Sequence, residues 1–242
     1  MSSRSYIVLD TETTTYFGRK RGVYDLGCLI CDCKTHQILQ ARSLCIQDVF
    51  SDFSMENAYY KEKVPIYLKG LTHEAKTINE WTYIRFKTAL ELLKADCEAH
   101  NVQTLWAYNV KFDLGALADT LWHLSNGLAD SLPQWLKDLK VRDIWDEAQV
   151  ITQTPKYVEW CLKNNYLTEK GNPKTSAEIV YRYLEGGNDF EESHTACADC
   201  VIEHRILRAV MRRHGRRART IGRGWMGARD TLTKILAAKE AA

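Results

Sequence analysis

Apolar residues near the beginning of the chain cluster into three short segments, which predict three strands. These segments are Tyr6–Leu9, Val23–Cys33 and Ile38–Ile46. Because only the polar residues 34–37 separate the second segment from the third, we expect those two strands to form a hairpin. Residues 47–80 are rich in Asp, Ser, Asn and Lys and have weak periodicity, so they predict a loop with short helical pieces.

From Trp81 the spacing of apolar residues becomes helical. One buried stripe is expected from the residues that recur every three or four positions, namely Phe86, Leu90, Leu93 and Cys97. A strand is predicted next at Thr104–Tyr108, then a helix at about 113–124 and a further strand at Val141–Trp145. Hairpin-linked strands followed by alternating helices and strands indicate an α/β fold with a mixed sheet.

Capping signals mark the helices of the last third of the chain. Pro155 after Thr154 is typical of a helix start, and Thr175 with Glu178 fits the capping-box pattern. A long helix is predicted from about Thr195 to Arg213, and a last helix at about 228–239.

Charge is distributed unevenly along the chain of 242 residues. Residues 201–242 carry 11 Lys or Arg and 3 acids, whereas the rest carries 22 basic and 28 acidic residues. This asymmetry is typical of a metal-binding core with an extension that binds a polyanion, although a solvated charged helix would also produce it. No apolar run approaches the roughly 18 residues that span a bilayer, and the apolar run before Asp10 is too short for a signal peptide. We therefore predict a cytoplasmic protein without a membrane segment.

Eight cysteines raise the alternative of an interaction module that binds structural zinc. They include two clusters, Cys28 with Cys31 and Cys33, and Cys197 with Cys200. The first cluster lies on a predicted strand and the second on a predicted helix, whereas zinc knuckles usually lie on turns. We therefore favour small buried side chains over a zinc site.

Two carboxylates follow the first predicted strand. Side chains alternate across a strand, so Asp10 and Glu12 point to the same face. Their charges repel, and one of them is expected to take up a proton unless a cation lies between them. Oxygen ligands of this kind suit hard divalent ions such as Mg²⁺. A solvated acidic turn would show the same short pattern.

Two further acids lie near the start of predicted helices. Asn109 ends an apolar strand and Asp113 begins the next helix, so both are expected at the crevice where strand ends meet, unless they only cap the helix. His194 and Asp199 share a site only if His194 lies at or before the helix start. Asp199 stands among apolar residues and needs a partner or a metal, or it stabilises the helix N-terminus.

Taken in order, these motifs resemble those of the DEDDh exonucleases, which include a bacterial proofreading subunit and ribonuclease T. The motifs are D-x-E, N-x-x-x-D and H-x-A-x-x-D, and Asp25–Gly27 and Val141–Asp143 resemble two of the family's strands. The resemblance covers about half the chain. It implies a ribonuclease-H-like α/β fold in which three antiparallel strands precede parallel strands, flanked by helices. Tyr108 departs from the family, which often has His before the Asn.

The resemblance implies a 3′–5′ exonuclease that hydrolyses phosphodiester bonds of DNA or RNA with two Mg²⁺ or Mn²⁺ ions and releases nucleoside monophosphates. Asp10 would bridge the ions, Glu12 and Asp199 would complete the first site, and Asp113 would hold the second ion. His194 would take a proton from water as general base. Because the residues before His194 are polar, we expect its imidazole to be exposed.

The expected partner is the 3′ end of a nucleic acid, taken to be single-stranded. Residues expected to contact the terminal nucleotide lie in or near the motifs: Thr13, Thr14, Tyr16, Phe17 and Asn109. A homodimer is left open. The main alternative is a non-catalytic nucleic-acid-binding protein on the same fold, but the complete set of four acids with His194 argues against it.

We predict an exonuclease domain at 1–214 that contains an additional helical insert at about 149–192. A basic extension follows at 215–242. Its arginines cluster around glycines with Trp225 between them, which favours binding of substrate outside the catalytic groove, because arginine pairs with phosphates and tryptophan stacks on bases. Docking onto the acidic body or onto a second subunit is the alternative.

Overall fold

In a computed structural model the chain forms two compact units. The first unit contains Met1–Arg142 and Ser193–Val201, and the second contains Asp143–Glu192 and Ile202–Ala242. The structure describes residues 4–16, 20–52, 54–71, 77–78, 81–187, 190–213 and 223–240. The domain boundaries expected from the sequence stay predictions.

The described strands form one mixed sheet. They are β1 (Ser5–Tyr16), β2 (Lys20–Asp32), β3 (Ile38–Ile46), β4 (Thr77–Ile78), β5 (Trp81–Ile84), β6 (Val102–Ala107) and β7 (Lys140–Asp143). Their order across the sheet is β4-β5-β3-β2-β1-β6-β7. β2 pairs antiparallel with β1 and β3, whereas β6 pairs parallel with β1 and β5 parallel with β3. The predicted α/β class with a mixed sheet is confirmed.

Several strands differ from the sequence prediction. The strand expected at Val141–Trp145 ends at Asp143, because Ile144 and Trp145 begin the next helix. Trp81–Ile84 was expected to be helical, but it forms β5 because it pairs with the edge of β3, and the helix begins only at Phe86. β1 does not end at Leu9. It continues to pair with β2 as far as the partners Tyr16 and Lys20, so the acids of the first motif lie within the sheet.

The helices named in the described part of the chain are α1 (Gln47–Asp52), α2 (Val64–Leu71), α3 (Phe86–Ala99), α4 (Val110–Leu124), α5 (Gln134–Lys137), α6 (Ile144–Glu147), α7 (Gln149–Thr152), α8 (Pro155–Lys163), α9 (Ala177–Tyr181), α10 (Ala196–Arg213) and α11 (Met226–Glu240). The stripe predicted on α3 is confirmed, since its members are at most 6% exposed. None of the described helices has the length and apolarity needed to cross a membrane.

The two capping signals have different outcomes. Thr154 caps α8 as predicted, because its hydroxyl accepts a backbone N–H of the first turn. The capping box at Thr175 and Glu178 is wrong. The hydroxyl of Thr175 accepts a hydrogen bond from Trp145 Nε1 at 2.9 Å, and Glu178 accepts one from Arg182 at 2.7 Å. Both side chains are therefore engaged elsewhere, and α9 begins without a side-chain cap.

The beginning of α10 lies directly against the middle of β2. A Cβ atom added to Gly27 would overlap the backbone of Ala196 and Cys197. Only glycine leaves room for such a close approach between a strand and a helix. This contact holds the first turn of α10 against the central strands of the sheet.

The basic extension is described only in part. Residues 214–222, which include Arg216, Arg217 and Arg219, lie outside the described residues. In the second unit, Ala228 and Leu232 of α11 pack against Val158 of α8 in a small apolar cluster. The described end of the extension is therefore a helix that buries one side within its own unit.

Candidate active site

Three acidic side chains of the first unit lie close together at β1 and the first turn of α10. Carboxylate oxygens of Asp10, Glu12 and Asp199 all lie within 4.8 Å of one another. Asp10 and Glu12 share one face of β1, as their spacing predicted. Glu12 is 5% exposed and Asp199 is 7% exposed, so two of the three carboxylates are buried.

The electrostatics of this acidic group, Asp10 with Glu12 and Asp199, favour a bound cation. Buried carboxylates lose the solvation of their charged form, and each additional negative charge nearby raises the cost of ionisation further. Bound protons or a bound cation would relieve this repulsion. Its donor set consists of carboxylate oxygens, which suit Mg²⁺ and Mn²⁺. Among the described residues, no group of metal-ligating side chains includes a cysteine.

His194 lies two residues before α10, where it has the position that the sequence required. Its backbone has a φ of 53°, which is uncommon for a residue other than glycine. Its imidazole stacks on the ring of Tyr60, with centroids 3.8 Å apart and an angle of 12° between the planes. The expectation of an exposed imidazole is wrong, because this stacking leaves His194 half-buried.

Asp113 lies in the first turn of α4 and is 2% exposed. The hydroxyl of Thr11, which stands between Asp10 and Glu12 on β1, donates a hydrogen bond to Asp113 Oδ1 at 2.8 Å. This hydrogen bond connects the N-x-x-x-D motif, which contains Asp113, to β1, which carries the D-x-E motif. α4 begins at Val110, earlier than predicted, and Asn109 is its exposed N-terminal cap with a φ of 65°.

Asp25 is an acidic residue to which the sequence motifs assigned no role. It pairs with Glu12 in the β1–β2 ladder and is fully buried. Its Oδ2 accepts hydrogen bonds from the Tyr67 hydroxyl at 2.7 Å and from the Ala196 backbone N–H at 3.0 Å. Burial raises the pKa of Asp25 to about 6, against the opposing effect of these hydrogen bonds. Asp25 therefore connects α2, β2 and the start of α10.

The residues predicted to contact the terminal nucleotide differ in their surroundings. Thr13 and Thr14 are buried, and the Thr14 hydroxyl donates to the Ser54 carbonyl at 2.6 Å. The side chain of Tyr16 and the whole of Phe17 lie outside the described residues. Contact between these residues and a nucleotide stays a prediction.

No family model matches the sequence, and no curated protein matches it. Solved structures of exonucleases nevertheless have a similar fold. E. coli exonuclease I in complex with a dT13 oligonucleotide has a TM-score of 0.52 at 13% identity, over 88% of this chain and 42% of that chain. This chain thus spans less than half the length of exonuclease I.

Two further structures are similar over most of their own length. A 3′-exonuclease that recognises the 3′ end of the histone mRNA stem-loop has a TM-score of 0.55 at 11% identity, over 88% of this chain and 83% of that chain. The nuclease domain of 3′hExo, a DEDDh family member bound to rAMP, has a TM-score of 0.50 at 15% identity, over 90% and 96%. The fold implied by the resemblance to DEDDh exonucleases is therefore confirmed.

The buried carboxyl of Asp25 predicts a specific dependence of stability on pH. Its pKa in the folded protein, about 6, lies above the ordinary value, so the folded state binds the proton more tightly than the unfolded state. This contribution to the free energy of unfolding is fully present below about pH 4 and is lost as the pH rises through 6. The loss amounts to about 3 kcal/mol.

Asp25→Asn should remove this dependence. We expect the unfolding free energy of the wild type, relative to that of the variant, to fall between pH 4.5 and 7.5 in denaturant titrations. Asp138→Asn, which changes an exposed carboxyl and keeps Asp25, serves as the control. The unfolding free energy of the wild type relative to this variant should not fall over the same pH range. A difference between the wild type and the Asp25→Asn variant that stays constant with pH would contradict the assignment.

Proposed function

We propose that this protein is a metal-dependent 3′–5′ exonuclease that removes nucleoside monophosphates from the 3′ end of a single-stranded nucleic acid. The observation that carries the proposal is the acidic group, in which three carboxylates lie within 4.8 Å of one another. The group stands on a fold similar to that of exonucleases whose structures hold an oligonucleotide, an RNA stem-loop or rAMP. Fold alone does not define an activity, so the acidic group is the stronger support.

Four side chains would hold the two ions. Asp10, Glu12 and Asp199 would hold the first, and Asp113 would hold the second together with Asp10. Bound there, Mg²⁺ or Mn²⁺ would lower the pKa of a water molecule and stabilise the negative charge on the leaving 3′ oxygen. The hydrogen bond from Thr11 fixes the orientation of Asp113, so the ligands on β1 and α4 keep their relative positions.

His194 would act as the general base in this proposal. Its imidazole would take one proton from the attacking water, whose oxygen would form a bond to phosphorus while the bond to the 3′ oxygen breaks. The leaving 3′ oxygen would take up a proton from solvent. The unperturbed pKa of histidine, near 6.5, suits proton transfer at neutral pH. Stacking on Tyr60 limits rotation of the ring.

The proposal predicts strictly metal-dependent degradation from the 3′ end. A single strand with a 5′ label should shorten progressively in Mg²⁺ or Mn²⁺ and stay intact in excess chelator. Asp10→Asn should abolish the reaction because it removes the ligand shared by both ions. The control Asp138→Asn changes an exposed carboxyl outside the acidic group and should retain activity. Activity in chelator, or immediate release of the 5′-labelled nucleotide, would exclude the mechanism.

A separate prediction concerns the proton transfer. His194→Ala should lower turnover by about 10²- to 10⁴-fold, which is the usual contribution of a general base. Binding of substrate should change little, since the acidic group remains. His100→Ala replaces the histidine that directly follows α3 and should behave like the wild type. Near-normal turnover of the His194 variant across pH 6–9 would show that another group is the base.

A further inference from the structure

The second unit contains a pocket of about 520 Å³ that the proposed mechanism does not use. Two tryptophans, Trp145 and Trp225, line it together with Pro173. A pocket of this size accepts a small organic ligand or one or two nucleotides. We refer to this site as the tryptophan pocket.

One wall of the tryptophan pocket is a closed loop with internal hydrogen bonds. Thr168 and Asn172 pair through their backbones at 2.8 Å, and the N–H of Gly171, whose φ is 74°, bonds to the Thr168 carbonyl. The Tyr157 hydroxyl donates to the Lys174 carbonyl at 2.7 Å. These bonds hold the loop in one conformation, so little ordering entropy would be lost on binding.

The indole of Trp145 is also held in place. Its Nε1–H donates to the Thr175 hydroxyl at 2.9 Å. A Cβ atom added to Gly224 would overlap the five-membered part of this indole ring. The backbone before Trp225 therefore packs directly on Trp145, and this close contact brings the two tryptophans of the pocket together.

Positive charge accompanies the second tryptophan. The guanidinium carbon of Arg229 lies over the Trp225 ring, 4.9 Å from its centroid, and the same guanidinium pairs with Asp230 at 3.3 Å. Arg223, two residues before Trp225, is exposed. Residues 202–242 as a whole carry 11 basic and 3 acidic side chains. Aromatic rings next to arginines are the arrangement by which proteins hold single-stranded nucleic acid, because bases stack on the rings and phosphates pair with the charges.

We propose that the tryptophan pocket binds an unpaired base of the single-stranded substrate, outside the active site. Flat indole rings suit any base, so the site would tolerate most sequences. Glu169 and Lys170 also line the pocket, with Asn172, and they offer both acceptors and donors to the edge of a base. The inference rests on the proposed function for the identity of the strand.

The test measures binding without cleavage. A 20-nucleotide oligothymidylate with a 5′ fluorescent label is titrated with the full chain in chelator, and anisotropy gives the Kd. Trp225→Ala should raise the Kd by about 5- to 150-fold, the usual effect of losing one stacked base, and Trp225→Phe should raise it less. The control Trp122→Ala removes a tryptophan of the first unit that is 40% exposed, and it should leave the Kd within about twofold.

Abasic nucleotides identify the stacked base. An abasic substitution moved along the strand should weaken binding of the wild type at one or two positions, and the same substitution should have no effect on Trp225→Ala. The dependence of Kd on salt should be equal in the two proteins, since an indole neutralises no phosphate. Equal affinity of the wild type and both Trp225 variants, or a uniform abasic profile, would overturn the proposal.

The outcome also separates this inference from the proposed function. If the protein cleaves its substrate but Trp225→Ala does not change binding, the proposal that the tryptophan pocket binds a base is wrong. The proposed exonuclease activity would still stand. If binding depends on Trp225 and on the abasic position but the protein never cleaves, the proposed exonuclease activity is wrong. The pocket would then belong to a nucleic-acid-binding protein.

Discussion

The contact between the start of α10 and β2 is the constraint on which the candidate active site depends. Gly27 lets the helix backbone approach the strand, and Asp25 binds the Ala196 N–H from the same strand. Because of this contact, Asp199 in the first turn reaches the carboxylates of β1. Repulsion within that acidic group opposes folding of the metal-free protein, so the packing of α10 must hold together side chains that repel one another.

The sequence predicted those parts of the structure that depend on local pattern. Apolar runs located the central strands, and the alternation of side chains along a strand placed Asp10 and Glu12 on one face. The spacing between His194 and Asp199 required a helix that begins between them, and α10 begins there. Each of these inferences needs only the geometry of one strand or one helix, which is why short motifs carried so much information.

The contacts that the sequence could not predict join segments far apart in the chain. Tyr60 and Tyr67 lie in the segment 47–80, where weak periodicity indicated a loop with short helical pieces but did not indicate long-range contacts. They contact His194 and Asp25. Trp81–Ile84 adopted the strand conformation because of an edge of the sheet that no local pattern reveals. Such contacts depend on how the elements pack, and propensity yields to packing in these cases.

Thermal unfolding with and without Mn²⁺ tests most directly whether the acidic group binds a divalent metal. A ligand that binds only the folded state stabilises it, so Mn²⁺ should raise the unfolding midpoint of the wild type. Asp10→Asn should abolish that rise, and in metal-free buffer it should leave the midpoint unchanged or higher because one of three repelling charges is gone. A wild-type unfolding midpoint that does not change with Mn²⁺, or an equal rise in the variant, would show that the acidic group does not bind the metal.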